Sequence, residues 1–224
     1  MQIFPIIGYI DQKTAHQQLF AARQNGASGV FLVSHYGQDA EMVGFAAETK
    51  CIDPHFPIGI HLVCRTPLET FEQARHAAVD MVWCSDTGVS SAGLAPEAVE
   101  LSARAKEMPL LRVYVSVALS PLSLEEDPGM AAKIALKAGF TPITSALATR
   151  GYPHDDKIGA MYGATAGRMA VAGGWPSEGV FDYAPYFHHV LMASGHTLGE
   201  KVVDSKKLQQ LILGAAWPDA FAFA

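Results

Sequence analysis

Short apolar and β-branched runs alternate with longer stretches of helical periodicity along this chain, and that alternation limits its fold more than any motif does. Successive βα units bury each strand on both faces and lead to a parallel sheet covered by helices. The strand-like runs are Ile3 to Ile10, Gly29 to Ser34, Ile58 to Val63, Asp80 to Cys84, Leu110 to Leu119, Phe140 to Ser145, Arg168 to Ala172 and Val190 to Ala193.

The segments between them carry helix start and stop signals. After Asp11, the residues Ala15, Leu19, Ala22 and Arg23 follow helical spacing, and Asn25-Gly26 supplies a stop that tolerates the left-handed conformation. Thr66-Pro67-Leu68-Glu69 combines an N-cap, a proline at the first helical position and an acidic first turn, which predicts a helix over Thr66 to Ala78. Further helices are expected over Asp39 to Lys50, Pro96 to Lys106, Asp127 to Ala138, His154 to Tyr162 and Ser205 to Leu213, with a short one from Pro176. The stretch Gly88 to Gly93 and the segment through Arg150-Gly151 read as loops.

Eight such strands in 224 residues fit one α/β domain, a single (β/α)₈ TIM barrel over residues 1–224. The rival is an open doubly wound sheet, but no GxGxxG follows the first strand and no GxxxxGK[ST] occurs. Half the residues are hydrophobic and 17% are charged, enough apolar side chain for a sizeable core.

A net charge of -6 and the absence of a Lys/Arg run argue against nucleic acid as a partner. Apolar runs such as Pro5 to Ile10 stop well short of a membrane span, and Met1 leads directly into a strand-like segment, so a cytoplasmic protein is expected. Cys51, Cys64 and Cys84 form no CxxC pair and read as reduced thiols. No HExxH or comparable spacing is present, so neither an obligatory metal nor a cofactor is expected.

In a barrel of this kind the site lies at the C-terminal ends of the strands. The residues there are Asp11, His35, Arg65, Asp86, Ser116, Thr144, Ser145, the Gly173-Gly174 pair and Ser194-Gly195-His196-Thr197. Glycines after strands seven and eight let backbone N–H groups approach an anion, so Gly173, Gly174, Ser194, Gly195 and Thr197 are expected to hold a phosphate group. The same glycines would also serve simple tight turns.

Asp86, His35 and Asp11 supply carboxylates and an imidazole suited to proton transfer, although each also fits a cap or loop role. Arg65, Thr144, Ser145 and Arg150 are expected to line the substrate pocket. His61, inside strand three, reads as a satisfied core histidine, and His188-His189 as a partly exposed pair.

Several of these segments resemble the BtpA-like family of ribulose-phosphate-binding-type barrels. They are Gly29 to His35, Ile58 to Leu62, Trp83 to Asp86, Ile143 to Ser145, Ala170 to Gly174, Asp182 to Tyr186 and Leu191 to Gly195. The resemblance implies a TIM barrel with a phosphate-type site at strands seven and eight, and some members of that family are linked to photosystem I biogenesis. The chain departs from the family pattern where Val115-Ser116-Val117 replaces a glycine-rich strand end, where His61 replaces asparagine, and at Arg150.

Two functions follow as expectations. One is a homo-oligomeric barrel that binds, and isomerises or cleaves, a small phosphorylated sugar or nucleotide-derived metabolite. The other is a non-catalytic BtpA-like assembly or stability factor with a protein partner and a vestigial phosphate site.

Overall fold

The eight strand-like runs form eight parallel strands that close on themselves. The computed structural model describes residues 1–35, 37–119, 125–145, 154–174, 186–194, 197–198, 202–203, 206, 208–210 and 212. The barrel strands are β1 Gln2–Gly8, β2 Val30–Ser34, β3 Ile58–Leu62, β4 Met81–Cys84, β5 Arg112–Ser116, β6 Thr141–Ser145, β7 Ala170–Gly174 and β8 His189–Ser194. The helices between them are α1 Gln12–Gln24, α2 Asp39–Ile52, α3 Pro67–His76, α4 Pro96–Glu107, α5 Pro128–Lys137 and α6 His154–Thr165. Each strand pairs with its sequence neighbour, and β8 closes the ring on β1 from Gln2↔His189 to Pro5↔Met192.

Alternation along each strand sorts side chains into two layers. Inside the barrel Phe4, Phe31, Met81, Trp83, Tyr114, Ile143, Ala170, Ala172 and Leu191 pack against one another. Between barrel and helices, Ile3, Ile7, Leu32, Ile60, Val82, Val113 and Val171 meet residues such as Ala22, Met42, Phe71 and Leu101. Both faces are buried, which is why the strands read as continuous apolar runs.

Gly59 belongs to this packing. A Cβ there would lie 2.5 Å from Cε1 of Phe31, so the bare backbone makes room for the ring. That ring in turn makes edge-on contacts with Phe4 and Tyr114.

Capping residues fix where the helices begin. The Asp11 side chain accepts from the Thr14 N–H, Thr66 and Glu69 form a capping box, and Asp127 accepts from the Met130 N–H. The described positions 206, 208–210 and 212 are helical, in agreement with the expected closing helix.

Two short hairpins stand where none is expected from the sequence. Val89–Ser90, inside the stretch read as a loop, pairs with Gly93–Leu94 at and just past its end, and Thr197–Leu198 pairs with Val202–Val203 after β8. Two-residue strands carry too little periodicity to be legible. Strand seven also runs further than expected, so Gly173 and Gly174 are its last two residues rather than a following loop.

Candidate functional site

The C-terminal rim of β7 and β8 is irregular. Gly173 pairs with Met192 and Gly174 with Ser194, which leaves Ala193 as an extra residue and makes a bulge opposite the two glycines. Gly173 has φ 141°, a backbone state that L side chains rarely adopt, while a Cβ placed there would meet none of the described residues within 4 Å. The conformation there calls for glycine. Thr197 lies in the hairpin that follows, paired with Val203. Gly195, His196 and Arg150 lie outside the described residues, as do the short helix expected from Pro176 and the segment Asp182 to Pro185.

Across β3, β4 and β5 a second group of side chains faces inward. The His61 and Trp83 rings stack with centroids 4.3 Å apart, and Trp83 Nε1 donates to Ser116 Oγ at 3.1 Å. His61 Nδ1 lies 2.8 Å from the Trp83 carbonyl oxygen. A carbonyl only accepts, so Nδ1 carries the proton and Nε2 holds the lone pair. Burial pushes the imidazole down to about 4, against the pull of the Trp83 carbonyl and with nearby His35 adding to the push. His61 is thus a buried histidine, as expected, held neutral in a single tautomer.

The ends of β5 and β6 meet the first turn of α6. Thr144 Oγ1 donates to the Ala118 carbonyl at 3.0 Å. Lys157 Nζ donates to the Ser145 carbonyl at 2.8 Å and lies 3.4 Å from both Ser145 Oγ and the Ala118 carbonyl. Ala118 itself has φ 50°, a conformation that costs a non-glycine residue roughly 1 kcal/mol or more.

Lys157 is fully buried, and burial lowers its ammonium to about 8. The sequence reading missed this lysine. Its signal is the spacing Lys157, Met161, Thr165, which places a cation on the buried face of α6.

The remaining expected residues are placed as follows. Asp11 is exposed and engaged in the α1 cap, with its oxygens 2.8 Å from the Thr14 N–H and 3.0 Å from Thr14 Oγ1. The Thr14 backbone bond first, and the hydroxyl bond second, hold its carboxyl below the usual range. His35 follows β2 and Asp86 follows β4. Both are exposed, and Asp86 has φ 50°.

Arg65 Nε donates to Asp39 Oδ2 at 2.6 Å, while Ser34 Oγ donates to Asp39 Oδ1 at 2.7 Å. Burial pushes the Asp39 carboxyl up, but Ser34 and Arg65 together outweigh it and hold it low. Arg65 therefore ties the end of β3 to the first residue of α2, beside a cleft of about 420 Å³ that it shares with Leu62, Leu68 and Glu69. Ser116, Thr144 and Ser145 are brought together at neighbouring strand ends.

Among the cysteines, Cys84 is buried and donates to the Pro67 carbonyl at 3.4 Å, and burial pushes its thiol up. Cys51 and Cys64 are exposed. Among the described residues no group of three or more His, Cys, Asp or Glu could hold a metal ion, and no helix is long and apolar enough to cross a membrane.

No protein-family model matches the chain, and no curated protein matches its sequence. Solved structures do. One described as native KDPGal superposes with a TM-score of 0.69 at 15% identity, covering 97% of this chain and 96% of the other. The fold is shared. Phosphoribosyl anthranilate isomerase from Thermus thermophilus follows at 0.64 and 16%, covering 96% of this chain and 98% of its own. The 2-keto-3-deoxy-6-phospho-gluconate aldolase from Zymomonas mobilis gives 0.63 and 14%, covering 96% and 92%. At such identities the likeness establishes the (β/α)₈ barrel, and function rests on the site.

Proposed function

We propose that this barrel binds, and isomerises or cleaves, a small phosphorylated sugar or nucleotide-derived metabolite at its C-terminal mouth. The observation that carries the proposal is the β7–β8 rim, where a bulge in one strand faces two glycines in the other, the first of them at φ 141°. Backbone N–H groups of Gly173, Gly174, Ser194 and Gly195, with Thr197, hold the phosphate in this account. The phosphorylated compounds named for the structurally similar isomerase and aldolase agree with such a ligand.

The rest of the ligand lies toward β3 to β6. Asp86 and His35 exchange protons with it, and Thr144, Ser145, Arg65 and Arg150 orient it. His61 Nε2 adds a lone pair from the barrel interior, since its partner nitrogen is already committed to Trp83. Asp11, the third expected proton-transfer group, is the weakest of the three because its carboxylate is occupied by Thr14.

The engagement of Asp11 and Arg65 in structural contacts favours, as a second reading, a BtpA-like assembly factor that keeps the anion site without turnover. A phosphometabolite panel separates the two. Under the first, at least one phosphorylated compound raises the melting temperature and is converted to product, and Gly174→Asp abolishes both effects. Recovery of a stoichiometric protein partner, with no compound converted, would instead establish the second.

A further inference from the structure

The opposite end of the barrel holds a cluster that the mouth does not explain. Arg112 is the first residue of β5, in alternation with the inward-facing Tyr114 and Ser116. Arg112 Nη1 lies 3.1 Å from His189 Nε2, and His189 Nδ1 lies 3.3 Å from the Tyr114 hydroxyl. A guanidinium only donates, so Nε2 accepts and the neutral ring's proton sits on Nδ1, which donates to Tyr114. The Tyr114 O–H then points to Met81 Sδ at 3.7 Å.

The relay thus joins the buried His189 ring and Tyr114 hydroxyl to a charge, the Arg112 guanidinium. His188 is exposed but His189 is buried, so the expected partly exposed pair is split by strand alternation. Burial first, then Arg112 and His188, pushes the His189 imidazole down to about 3, which keeps it an acceptor.

Arg112 opens into a cleft of about 610 Å³ between the N-terminal ends of β1, β4, β5 and β6 and the end of α4. Lys106, Gln2 and Thr141 share its wall. So does Asp80, but that carboxylate is already paired with Lys50 at 2.8 Å and accepts from the Ile58 N–H at 2.8 Å. Among the described residues neither Arg112 nor Lys106 has a carboxylate partner. Two cations and two neutral hydrogen-bonding side chains thus line a cleft whose one carboxylate is neutralised, with Arg112 held in place by buried groups.

We propose that this N-terminal cleft is a second small-anion site, separate from the mouth, in which Arg112 and Lys106 bind the carboxylate or phosphate oxygens of a small metabolite. The guanidinium fork takes two oxygens, Lys106 contributes charge, and Gln2 and Thr141 bond the neutral part of the ligand.

Calorimetric titration of the full chain with inorganic phosphate and, separately, with succinate at constant ionic strength tests this. Saturable binding of one or both anions is expected, and which one binds tells phosphate from carboxylate. Arg112→Gln and the exposed Lys106→Gln should each weaken it by about tenfold or more in the Gly174→Asp background, where the phosphate site proposed at the mouth no longer contributes. Lys106→Gln keeps the test valid if Arg112→Gln fails to fold. The proposal is overturned if neither anion saturates in the Gly174→Asp background, or if Lys106→Gln in that background leaves the binding unchanged.

Discussion

His61 and Trp83 are joined twice: their rings stack within 18° of parallel, and the histidine Nδ1–H donates to the tryptophan's own carbonyl oxygen at 2.8 Å. Stacking and hydrogen bond together lock one tautomer in a site where charge is costly.

Acid should therefore loosen the barrel through this pair. The folded imidazole titrates at about 4, below the ordinary 6.5, so between those values the unfolded chain binds more protons. The stability is present above pH 6.5 and is lost as pH falls through about 4, by about 3 kcal/mol at most. Urea unfolding at a series of pH values, compared with His61→Asn, isolates the effect. Wild type should lose more stability than the variant over this window, because His189 titrates in both.

Lys157 gives a pH dependence in the alkaline range. Its folded value of about 8 lies below the ordinary 10.5, so the unfolded chain again holds more protons between the two and stability rises with pH across that window. The gain relative to Lys157→Met should be of order 1–3 kcal/mol, read from denaturant midpoints at pH 7.5 and 10. Parallel stability curves for the two proteins would show that the lysine is not desolvated as described.

Gly59→Ala tests the packing of the barrel interior. The added methyl would lie 2.5 Å from a Phe31 ring atom, and the ring is held by Phe4 and Tyr114. Overpacking of this kind should cost about 1–3 kcal/mol in equilibrium unfolding. The double variant Gly59→Ala/Phe31→Leu should recover part of the loss.

The barrel was legible in the sequence because each strand is buried on two faces and each helix on one, so periodicity switches at every boundary. Caps at Asp11 and Thr66 were legible for the same local reason. Lys157 was not, because its partners are backbone carbonyls of other elements, which leave no trace in side-chain patterning. The Arg112–His189 contact joins residues 77 apart in the chain, and only closure of β8 onto β1 brings the barrel floor together. The bulge at Ala193 was equally hidden, since it depends on register against β7.

The central claim is that the rim of β7 and β8 holds a phosphate group. An amide NMR titration with ribose 5-phosphate, and with ribose as the unphosphorylated control, tests it most directly. Saturable shifts of the Gly173, Gly174 and Ser194 amides by the phosphorylated sugar, with none from ribose, are the predicted result. Shifts that never saturate, or saturable shifts that leave these three amides unmoved, would contradict the account.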